Sequence, residues 1–187
     1  MSAILITAPA DEPLSLSEAK AFLRVEHEDD DPVIMALIAA ARLQVEAQTR
    51  RALLSQTWRV IRDAWPASGR IVMTPGPVRA VTAARVYDDA GVAQDIEPQS
   101  FVVNVAHSSL SFPPWALLLP GRASAGIEID VAVGYGDAAA DVPEPLRQAI
   151  RMLVAHWYDH RGVVAAEGRA LPQGVAALIA PYRMVSL

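Results

Sequence analysis

Apolar side chains recur every three to four residues near both ends of the chain and every second residue in its middle. This double change of period restricts the fold more than any other feature. Ile127, Ile129, Val131 and Val133 alternate with Glu128, Asp130 and Ala132, the pattern of a strand with one buried and one wet face. Between Gln56 and Val133, short β-branched runs stand between Pro and Gly clusters: Trp58 with Val60, then 71–73, 78–87, 101–105, 110–112, 116–119 and 127–133. Six or seven strands are expected, with a hairpin turn at Asp88-Asp89-Ala90-Gly91.

The flanks read as helices. Ser15-Leu16-Ser17-Glu18 has the spacing of a capping box, and Leu16, Ala19, Phe22 and Leu23 fall on one face of a helix over about 16–25. A second helix starts with Asp31 as cap and Pro32 in the first turn. It runs to about Arg50 or Arg51 on a stripe of Val33 or Ile34, Leu37, Ile38, Ala41 and Val45. After Pro143-Glu144-Pro145 a third helix places Leu146, Ala149, Ile150, Leu153, Val154 and Trp157 at helical spacing to about Arg161. A short fourth lies near Gln173–Ala180, stopped by Pro181. The fold class is therefore α+β: a discontinuous helical module over 1–54 and 137–187, its N- and C-terminal helices packed together, interrupted by an inserted antiparallel β domain over 55–136.

The 187 residues contain no cysteine, which excludes disulfides, thiolate zinc sites and cysteine nucleophiles. No stretch approaches a membrane-spanning length and no export signal opens the chain, so a protein outside the membrane is expected. The formal charge is -5, and the cations are arginines apart from Lys20. Without a basic stripe such a chain is a poor reader of DNA, whereas an acidic wall suits a conduit through which DNA slides.

Candidate chemistry is sparse. His156 and His160, four apart on a helix with Asp159 beside them, suggest a metal-dependent hydrolase, but Trp157 stands where the zincin motif needs Glu, and no third ligand has a recognisable context. Asp29, Asp30 and Asp31 lack the spacing of a calcium loop and suit a helix start. His107, Ser108 and Ser109 read as a turn, since no nucleophile elbow exists in the chain. Catalytic residues, cofactors and resident metals are expected to be none.

Several ordered pieces together resemble one family. Leu14-Ser15-Leu16-Ser17-Glu18-Ala19-Lys20-Ala21-Phe22-Leu23-Arg24, then Asp29-Asp30 and Leu37-Ile38-Ala39-Ala40-Ala41-Arg42 with Glu46 and Arg50, are similar to the opening of the phage head-tail connector (adaptor) family. Pro75-Gly76-Pro77-Val78 and Val86-Tyr87-Asp88-Asp89-Ala90-Gly91 resemble the long members with a β insertion. Gly134-Tyr135-Gly136, Pro143-Glu144-Pro145-Leu146-Arg147-Gln148-Ala149-Ile150, His156-Trp157-Tyr158 and Leu171-Pro172 extend the likeness to Pro181-Tyr182-Arg183. Within the family the resemblance is strongest to the adaptors of alphaproteobacterial gene transfer agents, which are phage-like particles.

The resemblance implies a virion structural protein at the head-tail junction, assembled in the bacterial cytoplasm. It implies a homo-oligomeric ring, dodecameric in relatives, that binds the portal protein, extends the DNA channel without sequence-specific contacts and docks a stopper or tail protein. Tyr182, Arg183, Met184, Val185 and Leu187 are the expected portal-binding segment, because adaptors resemble one another in using a C-terminal arm. Glu128 and Asp130 are candidates for the channel wall or a subunit interface. Alternatives are a neighbouring stopper or tail terminator, the hydrolase built on His156, Asp159 and His160, and a nucleic-acid-binding regulator.

Overall fold

In the computed structural model, residues 2–160 and 171–184 are described. Contacts within the chain divide it into two units, Met1–Pro9 with Ser55–Tyr135, and Ala10–Leu54 with Gly136–Leu187.

The first unit is β. Its larger sheet has the order β1-β2-β8-β4-β5 and is antiparallel throughout: β1 (Ser2–Thr7), β2 (Gln56–Arg62), β4 (Val78–Tyr87), β5 (Ala93–Ile96) and β8 (Ile127–Val133). A smaller antiparallel sheet has the order β3-β7-β6, from β3 (Arg70–Val72), β6 (Val102–Asn104) and β7 (Ser109–Ser111). The alternation read from β8 holds: Ile127, Ile129, Val131 and Val133 are buried, and Glu128, Asp130 and Ala132 lie on the other face. Register places Val60 opposite Ile129, and Ala84 and Val86 opposite Ile129 and Ile127, so three strands feed one apolar face. Trp65, Phe101 and Phe112 form an aromatic cluster with centroids 5.0–6.0 Å apart.

Turns lie where the sequence puts them. Gly91 has φ +81°, a conformation glycine adopts without penalty, and closes the β4–β5 hairpin by donating to the Asp88 carbonyl at 3.0 Å. Ser108 sits in the β6–β7 turn. Its buried hydroxyl donates to the Met73 carbonyl and accepts from Val78 N–H, both at 3.3 Å, tying the turn to the segment before β4.

Two expectations fail here. The apolar run 116–119 is not a strand; a 3₁₀ turn at Pro114–Ala116 leads into an irregular loop. Prolines at 113, 114 and 120 lack the N–H groups a ladder requires. Conversely, β1 and β5 add to the expected strands, because the apolar residues of β1, Ala3 to Ile6, run without a break and β5 carries Gln94 and Asp95, so neither shows a clean alternation.

The second unit is helical: α1 (Leu16–Leu23), α2 (Asp31–Thr49), α3 (Glu144–Asp159) and α4 (Gln173–Ile179). Its core joins Leu14, Ile34, Ile38, Ala41 and Val45 to Leu146, Ile150, Leu153, Val175 and Ile179, so helices from both ends of the sequence pack together. Ile34, not Val33, is the buried residue that opens the α2 stripe, and Phe22 is exposed despite its helical spacing with Ala19. The cap of α2 is Asp30, one residue before the expected Asp31; Asp31 is the first helical residue and pairs with Lys20 at 2.6 Å. No described helix is long and apolar enough to cross a membrane.

Candidate interaction surfaces

The motif residues of the helical unit form ties within the fold. Ser15 caps α1 through the Glu18 N–H at 3.2 Å, and the Glu18 carboxylate accepts from the Ser15 N–H at 3.0 Å, completing the capping box. That backbone hydrogen bond, with Arg147 and Arg151 nearby, holds the Glu18 carboxyl below the usual carboxylate range. Arg147 reaches Glu18 at 2.7 Å, the Pro13 carbonyl at 3.0 Å and Glu144 at 3.0 Å, linking α3 to the start of α1. The Arg151 hydrogen bond likewise lowers Glu144.

Arg42 bridges Glu12 at 2.8 Å and Glu46 at 3.0 Å, and Glu46 accepts from the Leu53 N–H at 2.9 Å. Burial alone would weaken the Arg42 charge, but the two carboxylates outweigh it and raise its pKa. Tyr158 donates its hydroxyl to Asp30. Gly136 admits no side chain, because a Cβ would collide with the Asp141 carboxylate, which accepts from the Ala138 N–H at 2.9 Å.

Glu128 and Asp130 lie on the face of β8 opposite the core, largely sheltered by the arginines that engage them. Arg59, opposite Asp130 in the register, donates through Nε and Nη2 to both Asp130 oxygens at 2.7 and 2.9 Å, and its Nη1 is 3.2 Å from Glu128. Hydrogen bonding to Asp130 pushes the Arg59 pKa up. Arg85 extends the row, 3.8 Å from Glu128 and 3.4 Å from Asp95. Burial, then hydrogen bonding to Glu128, raises Tyr87, whose ring also carries the Arg122 guanidinium at 4.3 Å. This face is thus a cross-strand array of alternating charge.

The described part of the C-terminal arm begins on its own unit. Arg51 Nε donates to the Tyr182 carbonyl at 2.6 Å and Met184 N–H to the Thr49 carbonyl at 3.0 Å, while Arg183 between them is exposed. Val185 and Leu187 lie outside the described residues.

The His156 and His160 rings are tilted by 35° with centroids 4.9 Å apart, and His160 Nδ1 is 2.9 Å from the His156 carbonyl. Among the described residues no three His, Asp or Glu side chains gather as a metal site would require, and Asp159 is exposed.

Surfaces missed in the sequence are apolar. Trp115 and Leu119, 87% and 79% exposed, project from the proline-bounded loop, whose base is fixed by Trp65 Nε1 donating to the Leu118 carbonyl at 2.8 Å. In the helical unit an open cleft of about 550 Å³ has Leu14, Met35 and Ile38 in its wall beside Asp11 and Asp137. The prolines around Trp115 are the sequence signal for an exposed loop, since they remove the strand reading.

Comparison with known proteins follows the same outline. Among curated proteins nothing matches the chain. Solved structures match over its whole length. A chain in "Neck of empty GTA particle computed with C6 symmetry" is 29% identical with TM-score 0.82, covering 100% of this chain and 97% of that one. One in "Virion of native gene transfer agent (GTA) particle" is 28% identical with TM-score 0.84 at the same coverage. A third, in "Neck of native GTA particle computed with C12 symmetry", is 28% identical with TM-score 0.80, again over 100% and 97%. The family likeness read from the motifs is borne out, for the family described as head completion protein matches residues 12–185. The chain belongs to the head completion protein family.

Proposed function

We propose that this chain is the adaptor of a head-tail connector in a phage-like particle of the gene-transfer-agent kind, a structural role fulfilled by binding other proteins. The observation that carries the reading is the end-to-end likeness, at 28–29% identity, to chains in GTA necks reconstructed with C6 and C12 symmetry. Cyclic symmetry in those necks supports a ring of identical subunits here, with one lateral contact repeated around an axis. The ring sits beneath the portal protein, lengthens the DNA channel and offers its far side to a stopper or tail protein.

Within that role, Tyr182, Arg183 and Met184, continuing to Val185 and Leu187, are the portal-docking arm. The anchoring of Tyr182 and Met184 at the end of α2 supports this by giving the arm a fixed point of departure. Glu128 and Asp130 belong to a face turned toward the channel or a neighbouring subunit, where their arginine partners make the surface nearly neutral toward DNA.

Deleting the gene and restoring it tests the role. Electron microscopy should show DNA-filled or leaking heads without tails after deletion and tailed particles after restoration. Normal tailed particles in the deletion strain would overturn the reading.

A further inference from the structure

Among the described residues, the larger sheet ends at β1 on one side and β5 on the other, with no further strand paired to either. We propose that the outer edge of β1 in one copy pairs with the outer edge of β5 in the next, so that neighbouring subunits of the ring share a continuous sheet. This pairing rests on the ring reading above and names the contact that builds it.

The first support is the composition of β1. Ser2–Thr7 reads Ser-Ala-Ile-Leu-Ile-Thr, with no charge and no proline, and Ile4, Leu5 and Ile6 are 46%, 43% and 49% exposed. Proteins that stay separate guard an outer strand with charges, prolines, bulges or a covering segment. Among the described residues the one such device is a register shift between Leu5 and Thr7, which leaves 2–5 regularly paired with β2 and with no strand on the other side.

The second support is the kind of occupant such an edge takes. A row of outward backbone N–H and C=O groups is best satisfied by another strand edge. A cyclic ring requires a heterologous contact, in which one surface meets a different one on the next copy. Pairing β1 with β1 would give a two-fold dimer and stop. The opposite edge of the same sheet supplies the second surface, and β5, with four residues, is longer than the three-residue outer strands β3 and β6 of the small sheet.

Side chains agree with this choice. Ala93, Gln94 and Asp95 of β5 are exposed, and the small Ala93 leaves room for a neighbouring isoleucine. Ile4 stands opposite Arg59, on the charged face, and Ala93 and Asp95 stand opposite Tyr87 and Arg85 on that same face. Pairing the edges therefore continues the charged face across the subunit boundary.

The chain has no cysteine, so introduced thiols are its only ones. Particles carrying Ile4→Cys together with Ala93→Cys, and others carrying Ile4→Cys with Asp95→Cys, are oxidised and run on non-reducing gels. The expected result, for at least one pair, is a ladder of multimers of this chain that collapses on reduction and is absent from the single-cysteine variants. Particles that contain the usual amount of the chain but yield monomer alone from both pairs would overturn the edge pairing and leave the ring reading standing. Absence of the chain from the necks of wild-type particles would overturn the ring reading itself. As a second measurement, Ile4→Lys with Ile6→Lys should keep the wild-type melting curve, since both side chains are half-exposed, yet lower the yield of tailed particles at least tenfold. Undiminished yield from that folded variant would also overturn the pairing.

Discussion

Arg59 clasps both carboxylate oxygens of Asp130 across the β2–β8 pair, at 2.7 and 2.9 Å, while its third nitrogen turns toward Glu128. The guanidinium thus joins two carboxylates that a reading of β8 alone treats as free surface charge.

Arg59→Ala should destabilise the β unit by about 1.5–3 kcal/mol, the range for hydrogen bonds to charged groups, because two largely sheltered carboxylates lose their main cation. Urea denaturation checks this. Arg59→Lys should recover less than half of the loss, since a point charge cannot reproduce the bidentate geometry.

Neutralising Glu128 and Asp130 together, as Glu128→Gln with Asp130→Asn, would leave Arg59 and Arg85 with reduced compensation on the same face. If that face borders the channel, the added positive field should slow DNA passage. Gene transfer per particle should fall several-fold in particles that assemble normally. Equal transfer would remove these residues from the channel.

Truncation after Pro181 removes the carbonyl that Arg51 engages and the N–H that Met184 gives to Thr49. The folded chain should lose about 1–3 kcal/mol for two hydrogen bonds and keep its circular dichroism spectrum. Pull-down by the portal protein should fail. Retained binding would assign the arm a purely intramolecular role.

Glu18 and Glu144 titrate below their ordinary values in the folded chain. The unfolded chain therefore takes up protons first as pH falls, and the stability these groups contribute, fully present above about pH 4.3, is lost progressively below it. Thermal melts between pH 6 and pH 3 should show a smaller acid-induced drop for Glu18→Gln with Glu144→Gln than for wild type, with the two curves converging at low pH.

In the helical unit, Leu153→Ala should cost about 2–5 kcal/mol, because Leu153 is fully buried on α3. Thermal unfolding measures the loss.

The elements with a clean period are legible in the sequence. Ser15 and Glu18 announce α1 by their spacing, Ile127 to Val133 announce β8, and the proline at 143 bounds α3. β1 is hidden because Ile4, Leu5 and Ile6 are apolar on both faces, so the period-2 alternation that marks a strand is absent. The run 116–119 misleads for the opposite reason: its composition suits a strand, but the prolines that flank it lack the N–H groups a ladder needs, and its Leu118 carbonyl is taken by the Trp65 indole instead. Glu128 and Asp130 are recognisable as a wet face, whereas their arginines stand far away in sequence, and only strand register brings them together. The family motifs signal kinship. Their physical meaning, as links such as Lys20 to Asp31 and Arg147 to Glu18, emerges only in three dimensions.

The most direct test of the adaptor role is a symmetry-resolved electron cryo-microscopy reconstruction of the neck in purified wild-type particles. The role predicts a closed ring of copies of this chain around the DNA path, next to the portal. A neck without this chain, or copies of it located only in the head shell or the distal tail, would contradict it.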